Sequence, residues 1–330
     1  MPVLHSYEEG AESLRVEDRP VPRPGRGEVL VRIAAAPINP SDLAFVTGVY
    51  GIRKPLPVVP GLEGSGTVVA TGGGLLARRL RGKRVACAAS DQGDGTWAEY
   101  AVAPALACFP LPGGVSDEQG AMALVNPLGA WGLMEQARRR RARAVINTAA
   151  ASQLGRMLLR LGQRFGITVV GVVRRAEQVA LLRSLGATYV VNSAEPDFDA
   201  QLRDLCVRLD ARLAFDAVGG DMTERLLGAL PRGSRLTLYG GLATQPSPIL
   251  PHHPIFEGKV LDGFWLPRWV ASKNPLQLLL VQRSVLALLG TDLRSEVRDR
   301  VALEAARDAL AAYTRDMTGG KLLLVPNQRA

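Results

Sequence analysis

The 330-residue chain reads as an α/β protein in two parts: a small β-rich domain, then a doubly wound parallel sheet. Three observations predict this. From Leu14 to about Pro112, short apolar stretches are cut by Gly and Pro at close spacing, which is the texture of an all-β domain. From Ala144 to Leu242, β-branched stretches alternate with helical patterns of about ten residues, as strand–helix–strand crossovers require. At roughly 100–200 residues per domain, the length is a prior for two domains, each able to bury its own core.

The first domain shows its strands at Val29–Ile33, Gly66–Ala70 and Arg84–Cys87. At Ser116 the texture changes. Ser116 is placed to cap a helix and Gln119 to close a capping box, with the helix running to Ala137. Strands then fall at Ala144–Asn147, Thr168–Val173, Tyr189–Val191, Leu213–Asp216 and Arg235–Leu242. Helices fall between them at Leu154–Phe165, Ala176–Leu185, Asp199–Leu209 and Met222–Leu230. Beyond Gly263 the chain is helical again and ends in the strand-like Lys321–Val325, which can rejoin the first domain. The expected boundaries are 1–118 with 266–330 for the first domain and 119–265 for the second.

Hydrophobic residues make up 47% of the chain, which excludes intrinsic disorder, and there is no solenoid repeat. The formal charge of +9 raises the question of nucleic acid. Only five of the 40 basic residues are Lys, however, and the Arg are scattered. The one dense run, Arg138–Arg141 with Arg143, reads as a solvated loop or else a patch for an anionic partner. With no basic–aromatic interleaving and no zinc-finger or RNA-recognition signature, no nucleic-acid partner is expected. Cys87, Cys108 and Cys206 are odd in number and far apart in sequence, which suits a reduced cytoplasm rather than a disulfide framework. No apolar run approaches the length of a membrane span, and Met1–Gly10 lacks the apolar core of a signal peptide.

A doubly wound sheet binds its ligand where the first strand passes to the first helix. Here that turn is Asn147-Thr148-Ala149-Ala150-Ala151-Ser152-Gln153-Leu154-Gly155. The G-x-G-x-x-G spacing falls on Ala150, Ser152 and Gly155, so only the third glycine is kept. Ala and Ser are small enough to let backbone N–H groups approach a pyrophosphate. The second strand ends Val172-Val173-Arg174-Arg175, where an NAD-binding fold places an acid for the ribose 2′-hydroxyl. Guanidinium groups instead pair with a 2′-phosphate, so the preferred cofactor is NADPH. The Gly pairs Gly219-Gly220 and Gly240-Gly241, each following a strand, agree with a cofactor cleft.

With these residues in view, the chain resembles the zinc-independent branch of the medium-chain dehydrogenase/reductase superfamily over essentially its full length. The likeness is carried by Asn39-Pro40-Ser41-Asp42 with Gly48-Val49-Tyr50-Gly51, by Pro60–Val68, by Val125-Asn126-Pro127, by Val172-Val173-Arg174, and by Gly263-Phe264-Trp265-Leu266 with Trp269. It implies a GroES-like catalytic domain joined to a Rossmann domain. In the zinc enzymes of the superfamily a Cys stands at the position of Asn39 and a His at that of Leu62, so no metal is expected. His252 and His253, adjacent in a Pro-rich loop, read as solvated.

Within the branch the chain is similar to NADPH-dependent trans-2-enoyl-thioester reductases and quinone-oxidoreductase-like proteins. The resemblance implies Tyr50 as proton donor; Asn39 reads as a catalytic-site residue that positions substrate or nicotinamide, or else as a turn-stabilising Asn before Pro40. The resemblance also implies NADPH contacts at Asn126, Ala151, Ser152, Gln153, Leu154, Arg174, Tyr239, Gly240, Gly241, Leu242, Phe264, Trp265, Leu266 and Lys321, to which the turn spacing adds Gly155 and the end of the second strand adds Arg175. Phe264, Trp265 and Trp269 would wall an acyl pocket or fill an apolar seam. The expected substrate is an enoyl thioester or enone, with a quinone as the alternative and a non-catalytic NADPH-binding protein as a third reading. A homodimer is the family's usual state.

Overall fold

In a computed structural model, residues 1–243 and 245–326 are described. The chain forms two compact units. One comprises Met1–Pro127 together with the chain from Val281 onward, and the other is Leu128–Leu280.

The first unit begins with the short antiparallel pair β1 (Pro2–Leu4) and β2 (Leu14–Val16). Its main sheet is built on β3 (Glu28–Pro37), followed by helix α1 (Pro40–Val46) and β4 (Glu63–Thr71). Helix α2 (Leu75–Leu80), β5 (Arg84–Ala88), β6 (Tyr100–Pro104) and β7 (Cys108–Pro110) complete the β-rich stretch. β3 pairs antiparallel with both β4 and β6, β4 with β5, and β5 with β7. Alternation along these strands buries Val29, Val31, Val68 and Val85 around Trp97, which is fully buried and donates from Nε1 to the Pro37 carbonyl at 3.2 Å. Gly61, at φ +103°, lets the chain turn beneath that ring; a Cβ there would lie 2.4 Å from Trp97 Cδ1.

Cys87 and Cys108, remote in sequence, are direct partners across β5 and β7. Both thiols, like that of Cys206, are free and buried. Burial pushes Cys108 up to about 12 and Cys87 well above its usual value, so they pack as small apolar groups rather than as nucleophiles.

The expected helix from Ser116 to Ala137 is two helices, α3 (Asp117–Ala121) and α4 (Val125–Arg139). Ser116 does cap the first, accepting from Gln119 N at 3.2 Å. The Gln119 side chain does not return to close a capping box. Its amide clasps the backbone of Ser295 instead, donating to the carbonyl at 2.8 Å and accepting the N–H at 3.1 Å. A long-range partner outcompetes the local one.

The second unit is a six-stranded sheet of β8 (Ala144–Asn147), β9 (Thr168–Val173), β10 (Tyr189–Asn192), β11 (Leu213–Asp216), β12 (Arg235–Leu238) and β13 (Val260–Gly263). Every pairing is parallel, in the order β10-β9-β8-β11-β12-β13. Helices α5 (Gln153–Phe165), α6 (Ala176–Ser184), α7 (Phe198–Arg208) and α8 (Asp221–Ala229) make the crossovers between β8 and β12. The strand expected through Leu242 ends at Leu238. The Tyr239 N–H still bonds the Asp216 carbonyl, and beyond it the Leu242 and Ala243 N–H groups follow the Ala217 and Val218 carbonyls in an irregular path through Gly240-Gly241.

β13 closes the sheet, an element the sequence reading had passed over. Before it, His252 and His253 lie not in a loop but on helix α9 (His252–Glu257); His252 is solvated as expected, His253 is not. His253 is buried, with Nδ1 2.8 Å from Glu257 Oε2 and Nε2 2.8 Å from Glu224 Oε1. Lys259 Nζ joins the same Glu257 oxygen at 2.8 Å and holds that carboxyl down at about 2, with His253 contributing.

Helices α10 (Leu266–Ala271) and α11 (Pro275–Leu288) lead back to the first unit, where β14 (Val297–Ala302), α12 (Ala306–Arg315) and β15 (Lys321–Val325) finish the described chain. β15 pairs antiparallel with β3 and parallel with β14, so the strand-like C-terminal stretch does join the first sheet. Among the described residues no helix is long and apolar enough to cross a membrane.

Candidate active site

In the second unit the strand order reverses between β8 and β11, the place at which open α/β sheets bind ligands. The turn leaving β8 is tightly tied there. Thr148 N donates to the Phe215 carbonyl at 3.0 Å and Thr148 Oγ1 to Asp216 Oδ1 at 2.7 Å, while Ala217 N donates to Thr148 Oγ1 at 2.8 Å. Asp216 is fully buried and also accepts from Val218 N and Thr223 Oγ1, both at 2.9 Å. This Thr148–Asp216–Thr223 lattice fixes the two loops at the switch point. Sequence reasoning missed it; the signal was an Asp at the end of a strand before a Gly pair, an Asx-turn pattern.

Ala149, the residue before the first glycine position of the spacing, takes φ +46°, and Ala150 and Ala151 are buried behind it. Ser152 caps α5, its Oγ accepting from Gly155 N at 3.1 Å, which leaves the hydroxyl proton for another partner. Gly155 is required: a Cβ would stand 2.4 Å from the Ala150 carbonyl oxygen. Gly240 faces the same constraint against Ala217 O, at 2.8 Å. Gln153 is buried on the first turn of α5, with the half-buried Leu154 beside it. A second feature the sequence did not disclose is Arg156, buried with Nε donating to Ala151 O at 2.9 Å and bracing the turn from below.

Tyr239 donates its hydroxyl to Asn147 Oδ1 at 3.1 Å, and burial raises the phenol above its usual value. The Asn147 Nδ2, fully buried, has no hydrogen-bond partner among the described residues. Glycine-like backbone approach, small side chains and an orphaned donor at a switch point fit a dinucleotide. Arg174 and Arg175 do follow β9. Arg175 Nε is paired with Glu177 at 2.7 Å, whereas Arg174 stays exposed, its backbone N–H donating to Gln178 Oε1 and its side chain making no ion pair among the described residues.

Phe264 and Trp269 lie 6.2 Å apart against Gly132 of α4, where a Cβ would be 2.7 Å from the Phe264 ring. Trp269 Nε1 donates to Glu135 Oε2 at 2.9 Å. Trp265 caps α10, and the half-buried Leu266 opens that helix. Gly241 and Leu242 are exposed on the loop after β12, Leu242 at 43%.

In the first unit, Asn39 and Lys321 belong to a buried polar cluster with Asp42 and Glu63, all at or below 1% exposure. Asn39 Nδ2 donates to Glu63 Oε1 at 3.1 Å and its Oδ1 accepts from Lys321 Nζ, so both ends of the amide are occupied. Glu63 Oε2 accepts from Leu124 N and Val125 N, both at 2.9 Å, holding the start of α4 next to the buried Asn126. Asp42 accepts from Asn39 N at 2.8 Å and Leu62 N at 2.9 Å. Desolvation pushes Asp42 up to about 7 and Lys321 down to about 8, and raises Glu63.

Tyr50 is half-buried on the loop after α1, its backbone N–H bonded to the Ala44 carbonyl at 3.0 Å. The residues at the two superfamily metal positions do not fit a zinc ion: the Asn39 amide is saturated by Glu63 and Lys321, and Leu62 has no donor atom. Elsewhere among the described residues, His252, His253 and Glu257 bring ligand-type atoms within 4.8 Å, but that carboxylate is already shared with Lys259.

Comparison with known proteins agrees with this architecture. Residues 25–113 match the alcohol dehydrogenase GroES-like domain family and residues 154–280 the zinc-binding dehydrogenase family. The mitochondrial enoyl-[acyl-carrier-protein] reductase of Xenopus tropicalis is 33% identical over 275 residues, covering 81% of this chain and 77% of that protein. A candidate NADPH:quinone reductase of Mesorhizobium loti superposes with a TM-score of 0.90 at 36% identity, covering 96% of this chain and 92% of that one. The quinone oxidoreductase of Thermus thermophilus, solved alone and with NADPH, gives 0.78 at 27% identity, with 98% and 99% covered. A GroES-like domain joined to a parallel dinucleotide-type sheet defines an oxidoreductase of the medium-chain class. The chain belongs to the medium-chain dehydrogenase/reductase superfamily, alongside its enoyl reductases and quinone reductases.

Proposed function

We propose that the protein is an NADPH-dependent reductase of activated carbon–carbon double bonds, working without a metal on 2-enoyl thioesters or enones. The observation that carries this reading is the saturated Asn39 amide together with the apolar Leu62, which leaves the two superfamily metal positions without a free ligand atom and gives the proton-donor role to a side chain. Bound NADPH supplies a hydride to the β-carbon of the double bond. Tyr50 donates the proton that the α-carbon must gain, its phenol acting as a general acid.

The turn 148–155 and Gly240 would receive the pyrophosphate and ribose through backbone N–H groups, and Arg174 the 2′-phosphate. Arg175, already paired with Glu177, plays the lesser part. Gln153, Leu154, Tyr239, Gly241, Leu242 and Phe264 to Leu266 would line the remainder. Asn39 and Lys321 support the catalytic loop through Glu63 and Asp42, and Asn126 is held at the start of α4.

A quinone accepts the same hydride with no carbon acid to satisfy, which keeps quinone reduction as the second reading; the likeness to quinone reductases favours it. The outer edge of β13 has no strand partner among the described residues, and Val260 is exposed on it, in keeping with a homodimer. A reducing compartment such as the cytoplasm suits the three buried thiols.

The test is incubation with NADPH and a panel of enoyl thioesters, enones and quinones, following the absorbance of the reduced nicotinamide. Turnover of thioesters or enones supports the proposal. Turnover of quinones alone moves the assignment to the second reading, and cofactor binding without turnover of any acceptor overturns both.

A further inference from the structure

We propose that Arg53 recognises the phosphate of a phosphorylated pantetheine thioester, the handle common to coenzyme A and carrier-protein substrates. The inference rests on the enoyl-thioester reading above and narrows its substrate class. Arg53 is exposed yet immobilised. Its Nε donates to the Gly48 carbonyl at 2.9 Å, closing the loop 48–53 that carries Tyr50. Its guanidinium lies over the Tyr7 ring, 5.3 Å from the ring centre.

Tyr7 is fixed in turn. Its hydroxyl donates to the Lys54 carbonyl at 3.0 Å and accepts the Lys54 N–H at 2.9 Å, and its ring meets Phe45 edge-on at 5.8 Å. Gly48, at φ +71°, makes the room, since a Cβ there would fall 2.8 Å from Arg53 Nη2.

What distinguishes Arg53 is the chemistry of its supports. Among the other anchored arginines of the first unit, Arg19 leans on Glu17 and Arg300 on Glu118, while Arg15 rests on the Glu12 and Leu14 carbonyls without an aromatic face beneath it among the described residues. Arg53 leans on a carbonyl and an aromatic face, and among the described residues no carboxylate pairs with it. Its charge is therefore held in place without being neutralised, and its terminal N–H groups are left for an outside acceptor. A planar guanidinium matches phosphate bidentately, and one already ordered loses little entropy on binding.

The neighbouring cation cannot serve. Lys54 is turned inward, with Nζ on the carbonyls of Ser90 at 2.6 Å and Gly93 at 2.7 Å. Tyr50 and Arg53 leave the same short loop, so a ligand whose reacting end meets the phenol can set a group further along its arm on the guanidinium. A quinone or a simple enone carries no such group.

The experiment compares wild type, Arg53→Gln and Arg53→Lys on crotonyl-coenzyme A, crotonyl-4′-phosphopantetheine and crotonyl-pantetheine at saturating NADPH. For Arg53→Gln, kcat/KM is expected to fall about tenfold on the phosphorylated substrates, through KM, and by less than about twofold on crotonyl-pantetheine. Arg53→Lys should recover part of the loss. The wild-type KM for phosphorylated substrates should rise with salt, and that of Arg53→Gln should not.

Loss on both phosphorylated substrates assigns the shared arm phosphate. Loss on the coenzyme A thioester alone would transfer the contact to its nucleotide and overturn the shared-phosphate claim. Equal loss with and without phosphate would reduce Arg53 to a brace for the loop. A wild type that turns over none of the three thioesters fails on the enoyl-thioester reading, before any variant is compared, and takes this inference with it.

Discussion

Asn39 and Glu63, 24 residues apart in the chain, share a 3.1 Å hydrogen bond in a pocket closed to solvent. Through that bond the residue preceding α1 is tied to the carboxylate that holds the first turn of α4. Glu63→Gln keeps the volume but turns one acceptor oxygen into a donor facing N–H groups. Leaving a buried donor unsatisfied costs about 1–3 kcal/mol, so the variant should unfold at lower denaturant concentration. An unchanged urea midpoint would remove Glu63 from this role.

Asp42 gives the cluster a pH signature. Its carboxyl, pushed from 3.8 up to about 7, keeps its proton in the folded chain where the unfolded chain has released it. Its contribution to stability is therefore full below the unfolded value and is lost as pH rises through about 7. Lys321, lowered from 10.5 to about 8, acts in a separate window: stability from it is lost as pH falls through its unfolded value toward about 8. Relative to Asp42→Asn, the wild type should lose about 1–4 kcal/mol between about pH 4 and about pH 7. Parallel urea-midpoint profiles for the two proteins would contradict this.

Tyr50→Phe removes the proposed acid and keeps the ring. Turnover of crotonyl thioesters should drop more than about tenfold, since general acids typically contribute more than that, with quinone turnover unchanged. Retention of both activities would exclude Tyr50 from the chemistry.

Arg174→Ala should raise the KM for NADPH by about tenfold or more and leave that for NADH within about threefold, because only the former loses a charge-assisted contact to phosphate. Equal effects on the two cofactors would show that the guanidinium does not read the 2′-phosphate. Arg175→Ala should have a smaller effect, as Glu177 already shares that charge.

Gly155→Ala places a methyl group against the Ala150 carbonyl, 2.4 Å from where its Cβ would fall. Overpacking of this kind costs about 1–3 kcal/mol, so both thermal stability and NADPH affinity should decline together. A variant that keeps wild-type cofactor affinity would show that the turn tolerates a shift.

The sequence by itself determined the alternation of β9, α6, β10, α7 and β11, because hydrophobic period and turn residues are local properties read over a few residues. It also determined where the turn from β8 to α5 falls, since one glycine and a run of small side chains mark a strand handing over to a helix. It did not disclose β13, a four-residue strand that is largely solvent-facing and lacks a buried pattern. Nor could it show that Gln119 abandons its own helix for Ser295, that Cys87 and Cys108 stand side by side, or that His253 sits between two glutamates. Those outcomes depend on partners up to 176 residues away, and which partner wins is settled only when the chain closes and water is excluded. The same holds for Asn39 and Lys321, legible as likenesses in the sequence, whose charges and hydrogen bonds took meaning only once desolvation brought Asp42 and Glu63 beside them.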